Sequence, residues 1–243
     1  MDPAWIGSAS GVWNAPETVR LLDVGRAPYG PIHRLQRTLH AAVADGRERS
    51  TWIVVEHDPV ITLGREANRA NVLVSRERLA EQGIEVVPVE RGGDVTYHGP
   101  GQVVIYLIMK LERFREVVPL VGKLEGAVID ALSGFSIKAS GRREHRGVYV
   151  GDAAIAAVGL AVQRMTTLHG IALNVETELD YDRLITPCGT AQFGITSISE
   201  QTGVRVPWAE GRDALLVALE RAFGVRFVAE PPELVTERLA SAS

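Results

Sequence analysis

GVYVGDAAIAAVGLAVQRMTTLHGIALNV, residues 147–175, reads as three consecutive strands, at 147–150, 154–162 and 168–175, with turns between them. Upstream, 103–109 is the longest wholly apolar run and a further strand, and shorter strands are predicted at 20–24, 51–55, 60–63 and 84–89. Between them Ile32, Leu35, Leu39 and Val43 fall at helical spacing, with Gly46 closing that helix. Ser75 caps a short helix through Gln82, stopped by Gly83. Pro119 suits the first turn of a helix to about Leu132 with the stripe Leu120, Leu124, Val128 and Leu132. A last amphipathic helix at 212–223 precedes a short strand. Clusters of strands with helices between them predict an α+β fold, a mixed or antiparallel sheet packed with helices. The expected organisation is a flexible leader at 1–17, a single domain at 18–229 and a polar C-terminal tail at 230–243.

The 243 residues are 46% hydrophobic and 23% charged, which excludes long disorder and allows one full-sized core. Twenty-four glycines and 12 prolines predict many tight turns. The net charge of −4 argues against a general nucleic-acid binder. An apolar run of seven residues at 103–109 is far short of the ~20 needed for a membrane helix. With no secretory signal and a single cysteine, Cys188, the expectation is a cytoplasmic protein without disulfides.

Cys188 stands between Pro187 and Gly189, so a turn presents its thiol. It is either a nucleophile or a small buried hydrophobe. Residues 91–102, Arg-Gly-Gly-Asp-Val-Thr-Tyr-His-Gly-Pro-Gly-Gln, are the densest punctuation in the chain. They are not a Walker loop, because no Gly-Lys-Ser/Thr opens a helix. Two readings stand: a plain β-turn, or a wall where backbone approaches a ligand closely. Of six histidines, His169 reads as a hydrogen-bonded strand residue, and His33 and His40 as surface residues of the first helix. No two histidines have metal-ligand spacing, so neither metal nor cofactor is expected. Arg142, Arg143 and Arg146 form a basic loop, either simply solvated or docking an acidic partner.

Taken together, residues 91–102, the block Leu168-His169-Gly170-Ile171-Ala172-Leu173-Asn174 and Pro187-Cys188-Gly189 resemble the lipoyl(octanoyl) transferases, from about residue 20 to 225. Glu56-His57-Asp58-Pro59 and Thr62-Leu63-Gly64-Arg65 are similar to that family too. The resemblance implies a biotin/lipoate protein ligase-like domain. It implies that Cys188 takes octanoyl from octanoyl-acyl carrier protein as a thioester. A lysine then accepts the group, on lipoyl domains of 2-oxoacid dehydrogenase complexes or on the glycine cleavage H protein, without ATP, nucleic acid or membrane. The implied acyl site maps onto Arg91, Gly92, Gly93, Asp94, Val95, Thr96, Tyr97 and His98, onto Ala157, Val158 and Gly159, and onto His169, Gly170, Ile171 and Ala172. Burying ~6 methylenes there offers about 5 kcal/mol before binding costs.

One departure stands out. Where the family has Lys-Ile-Ala-Ala-Ile-Gly, this chain has Ala154-Ile155-Ala156-Ala157-Val158-Gly159, so alanine replaces the lysine that lowers the cysteine pKa and handles protons. Lys110, Lys123 and Lys138 are the chain's lysines, and none falls in a matching motif. Three explanations stay open. Ala154 is a substitution engineered to disable turnover, which the intact surroundings favour; or His98 or His169 does the lysine's work; or the protein keeps acyl binding without catalysis. An ATP-dependent lipoate or biotin ligase is the more distant alternative.

Overall fold

A computed structural model describes residues 18–142, 145–186 and 193–241. β1 (Thr18–Ala27) leads into α1 (Tyr29–Ala44), which carries the chain to β2 (Thr51–His57). β1 and β2 are parallel, and a parallel pair needs such a crossover because a tight turn joins only antiparallel neighbours. β1 outruns the apolar stretch at 20–24 by continuing past a register shift between Asp23 and Arg26, where Gly25 takes φ +66°. β3 (Val60–Leu63), α2 (Arg76–Glu81), β4 (Glu85–Pro88) and β5 (Val95–His98) follow, and the three strands form a small sheet in the order β4-β3-β5.

Next come β6 (Gln102–Ile108), α3 (Val117–Ser133), β7 (Ser140–Gly141), β8 (Gly147–Val150), β9 (Ala153–Gln163) and β10 (Thr166–Asn174). The chain continues through β11 (Gly194–Ile195), α4 (Ile198–Thr202), α5 (Trp208–Phe223), β12 (Arg226–Ala229) and α6 (Pro232–Ser241). Among the described residues the main sheet runs β12-β1-β2-β6-β10-β9-β8-β7, with β11 beside β9. It is mixed, as expected: β12, β1 and β2 are parallel, and β2 through β7 pair antiparallel.

Helices cover both faces of this sheet, so its central strand is apolar on both sides. In β6, Val103, Ile105 and Leu107 face α3 and α5, while Val104, Tyr106 and Ile108 face α1. The α3 stripe is fully buried at Leu120, Leu124, Val128 and Leu132, each contributing ~1.5–3 kcal/mol of burial. The segment after 229, read as a polar tail, is instead helical. Val235 of α6 is buried against the α1 side of the sheet, and Arg238 pairs with Glu230 at 2.6 Å and Glu48 at 3.3 Å. One apolar pair at i, i+4, Val235 and Leu239, is too little periodicity to announce a helix.

The glycine segment is both a turn and a wall. Gly99 to Gly101 turn β5 into β6, and Gly101, at φ +78°, accepts the amides of Val175 and Glu176 at 3.1 Å each. A Cβ there would fall 2.5 Å from the Glu176 carbonyl carbon, so no other residue fits. Gly92 and Gly93 line a cavity between the two sheets.

Candidate active site

The cavity holds about 380 Å³, with walls from both sheets, a volume within the range of small-ligand sites. β5 contributes Thr96 and His98, and the approach to it contributes Arg91 to Asp94. From β9 come Ala157, Val158 and Gly159, and from β10 His169, Gly170, Ile171 and Ala172. Thirteen of the residues expected from the sequence therefore meet around one space. Val95 and Tyr97 do not. Strand alternation turns them to the opposite face of β5, into a separate core with Ile61, Leu63 and Leu79. They line instead a second cavity of about 50 Å³, together with Ala154. Thr96, Ala157 and Ala172 belong to both cavities.

Ala154 is half-buried in β9, opposite Tyr149 of β8 and Ile195 of β11. Cys188 lies outside the described residues. Ile185 and Ile195, which bracket it in sequence, both line the cavity beside Ala154.

Gly170 is glycine for a reason other than ligand room. A Cβ on it would sit 2.0 Å from the Ile105 carbonyl oxygen, where β10 and β6 close on each other.

Buried polar chains fix the histidines of the cavity. His98 Nδ1–H donates to Gln102 Oε1 at 2.7 Å, and Gln102 Nε2 donates to Asn174 Oδ1 at 3.0 Å. The Asn174 amide in turn reaches the Thr196 carbonyl at 2.9 Å. This leaves His98 Nε2 as an acceptor. Burial, aided by neighbouring His57, lowers the His98 pKa to about 3 despite the Gln102 bond, so the ring is neutral. His57 Nδ1–H donates to the Ala27 carbonyl at 3.1 Å, and Tyr106 Oη–H donates to His57 Nε2 at 2.8 Å. Burial lowers His57 to about 4 and raises the Tyr106 and Tyr29 hydroxyls. The Arg91 guanidinium donates to the Thr62 carbonyl at 2.8 Å and Thr62 Oγ1 at 2.9 Å.

The reading of His33 and His40 as surface residues is corrected. His40 is buried, and its Nε2–H reaches the Gln163 and Thr166 carbonyls at 3.0 and 3.2 Å. His33 is half-buried and donates to Glu90 Oε2 at 2.9 Å; His169 donates to the same oxygen at 3.3 Å. The His169 bond first, and then His33, hold the Glu90 carboxyl well below the usual carboxylate range against the effect of burial. In the basic loop, Arg142 pairs with Asp152 at 2.7 Å and lies over the Phe193 ring at 4.4 Å, while Arg146 and His145 reach the cavity.

A Lipoyl protein ligase A/B catalytic domain model matches residues 29–220, which takes in every wall of this cavity. The chain belongs to that family. It is 44% identical over 204 residues to an octanoyltransferase of Syntrophobacter fumaroxidans, covering 84% of this chain and 90% of that one. An octanoyltransferase of Thermoanaerobacter sp. is 36% identical over 222 residues, covering 90% and 95%. With these relatives, this member of the lipoyl protein ligase A/B family is an acyltransferase.

Solved structures agree on the fold. Lipoate-protein ligase A bound with ATP superimposes with a TM-score of 0.72 at 17% identity, covering 92% of this chain and 93% of that one. The bi-partite lipoate protein ligase of Thermoplasma acidophilum gives 0.70 at 16%, covering 92% and 91%. Among the described residues no helix is long and apolar enough to cross a membrane.

Sequence reasoning missed several walls of the acyltransferase cavity: Tyr29, Thr62, Val104, Tyr106, Val117 and Val121. Val104 and Tyr106 share a face by the two-residue period of β6. That signal was present, but it does not say which face meets the cavity.

Proposed function

We propose that the chain transfers an octanoyl group from octanoyl-acyl carrier protein to a specific lysine of lipoyl-domain proteins, through a thioester on Cys188. The acceptors are lipoyl domains of 2-oxoacid dehydrogenase complexes and the glycine cleavage H protein. The observation that carries the reading is the pair of adjoining cavities. An apolar floor of Ala157, Val158, Ile171 and Ala172 suits an acyl chain, and the smaller space at Ala154 is lined by the residues bracketing Cys188 in sequence.

In the first half-reaction the Cys188 thiolate attacks the donor carbonyl, and the carrier thiolate leaves and takes up a proton. In the second the acceptor amine attacks the Cys188 thioester, loses a proton and becomes an amide, and the cysteine thiolate is regenerated. The donor is already activated, so no nucleotide is called for. Alanine at 154 removes the cation that would lower the thiol pKa, and turnover is correspondingly slow. His98 lines the cavity with Nε2 left to accept a hydrogen bond, but a ring whose pKa is held at about 3 is too weak a base to take over proton transfer.

The test is intact-protein mass spectrometry after incubation with octanoyl-acyl carrier protein, beside Cys188→Ser. One octanoyl group on the parent and none on the serine variant supports the reading. Equal transfer to lipoyl domain by both chains overturns the nucleophile. Tight acyl binding without any adduct favours an acyl-binding protein.

A further inference from the structure

We propose that His33, Glu90 and His169 form a binding site for a divalent transition-metal ion of the Zn²⁺ class at the wall of the acyl cavity. Three segments far apart in sequence deliver these side chains: α1, the residue before the glycine segment, and β10. Their ligand atoms, two imidazole Nε2 and one carboxylate oxygen, all lie within 4.8 Å of one another. Both nitrogens already converge on Glu90 Oε2, at 2.9 and 3.3 Å. An ion with bonds of about 2.0–2.2 Å sets tetrahedral donors about 3.3 Å apart, so small side-chain rotations complete the geometry. Two imidazoles and one carboxylate are the donor set of zinc sites that keep a position open. Each imidazole offers its Nε2 lone pair in the tautomer that carries the proton on Nδ1.

The backbone supports this use of His169. Among the described non-glycine residues with positive φ, Ser136, Arg164 and Met165 lie between elements, whereas His169, at φ +64°, lies inside a strand. Its amide donates to Gln36 Oε1 of α1 at 3.2 Å. A strained residue held by its surroundings is a mark of functional sites, and here the strain aims a buried ring at Glu90. Burial lowers the His169 pKa despite the Glu90 bond.

Two guanidiniums act against a cation. Arg37 lies 3.7 Å from Glu90 Oε1, but its side chain is 66% exposed, so water screens it. It also touches the oxygen the histidines do not use, and a contact of that kind orients a ligating carboxylate. The Arg91 guanidinium is turned toward Thr62 and Gly92.

The inference goes beyond octanoyl transfer, and its test does not read that activity. The chelator-stripped full chain is titrated with Zn²⁺ against a chromophoric chelator, and with Co²⁺ by visible absorption. The expected result is one equivalent of Zn²⁺ and the strong d–d bands of four- or five-coordinate Co²⁺ without a thiolate charge-transfer band. His33→Ala and Glu90→Gln should each weaken Zn²⁺ binding by about 100-fold or more, since even outer partners of a ligand are worth 10–100-fold. Arg37→Gln should leave it unchanged or tighter. Absence of stoichiometric binding, a thiolate band that assigns the ion to Cys188, or affinity unaltered in both ligand variants overturns the site. The Co²⁺ spectrum is read on the unaltered chain, so it holds even where a variant fails to fold.

Discussion

Placing a lysine at position 154 is the perturbation that most directly tests the proposed chemistry. Ala154→Lys adds four heavy atoms beyond Cβ. The cavity at that position holds about 50 Å³, more than the ~10–15 Å³ that one water-sized group occupies. The added methylenes and ammonium have this space to enter. Its ammonium would lie among Thr96, Tyr97, Asn174 and Tyr181, which line that space. A cation there lowers a neighbouring thiol by one or more pKa units, each ~1.4 kcal/mol. Acid–base help is worth about 10²–10⁴-fold in rate. The assay is single-turnover acylation by octanoyl-acyl carrier protein, followed by intact mass, for the parent, Ala154→Lys and Ala154→Met. The lysine variant is expected to acylate at least 100-fold faster, about the lower end of that range, and the neutral methionine variant to resemble the parent. Equal rates for parent and lysine variant, or an equal gain with methionine, would refute a role for an amine at this position.

Gly170→Ala should cost upward of ~3 kcal/mol or prevent folding, because its Cβ would sit 2.0 Å from the Ile105 carbonyl oxygen at the β6–β10 pairing; urea unfolding measures it. His40→Ala should cost about 1–3 kcal/mol, because the Gln163 and Thr166 carbonyls lose a buried donor; a surface histidine would cost nothing measurable. Stability should be full above about pH 6.5 and fall with acidification, because the unfolded chain takes up protons that folded His57 and His98, at about 4 and about 3, refuse. Each contributes up to ~1.4 kcal/mol per pH unit down to its folded pKa. Urea midpoints between pH 7.5 and 5 should therefore decline, less steeply in His57→Asn, and a flat profile would contradict the neutral buried rings.

Much of the architecture was legible locally. Helical spacing at Ile32, Leu35, Leu39 and Val43, the Ser75 cap and the Pro119 first turn each depend on neighbours within one or two helical turns, and α1, α2 and α3 formed where those signals placed them. Strand positions were likewise close, since β-branched runs favour extended backbone whatever they pair with. The α6 helix escaped because its apolar face is only two residues wide and packing supplies the rest.

By itself, then, the sequence determined α1, α2, α3 and the longer strands, the α+β class and the motif blocks that carry the family likeness. Only the tertiary structure decided which side chains share a space. Val95 and Tyr97 belong to the same block as Thr96 and His98, yet β5 pairing with β3 sends them to the other face. His33 and His169 are 136 positions apart, and a sheet with α1 laid across it brings both onto Glu90. Elements follow from torsional preference and local periodicity, which act over a few residues. A site follows from register and packing, whose partners lie anywhere along the chain.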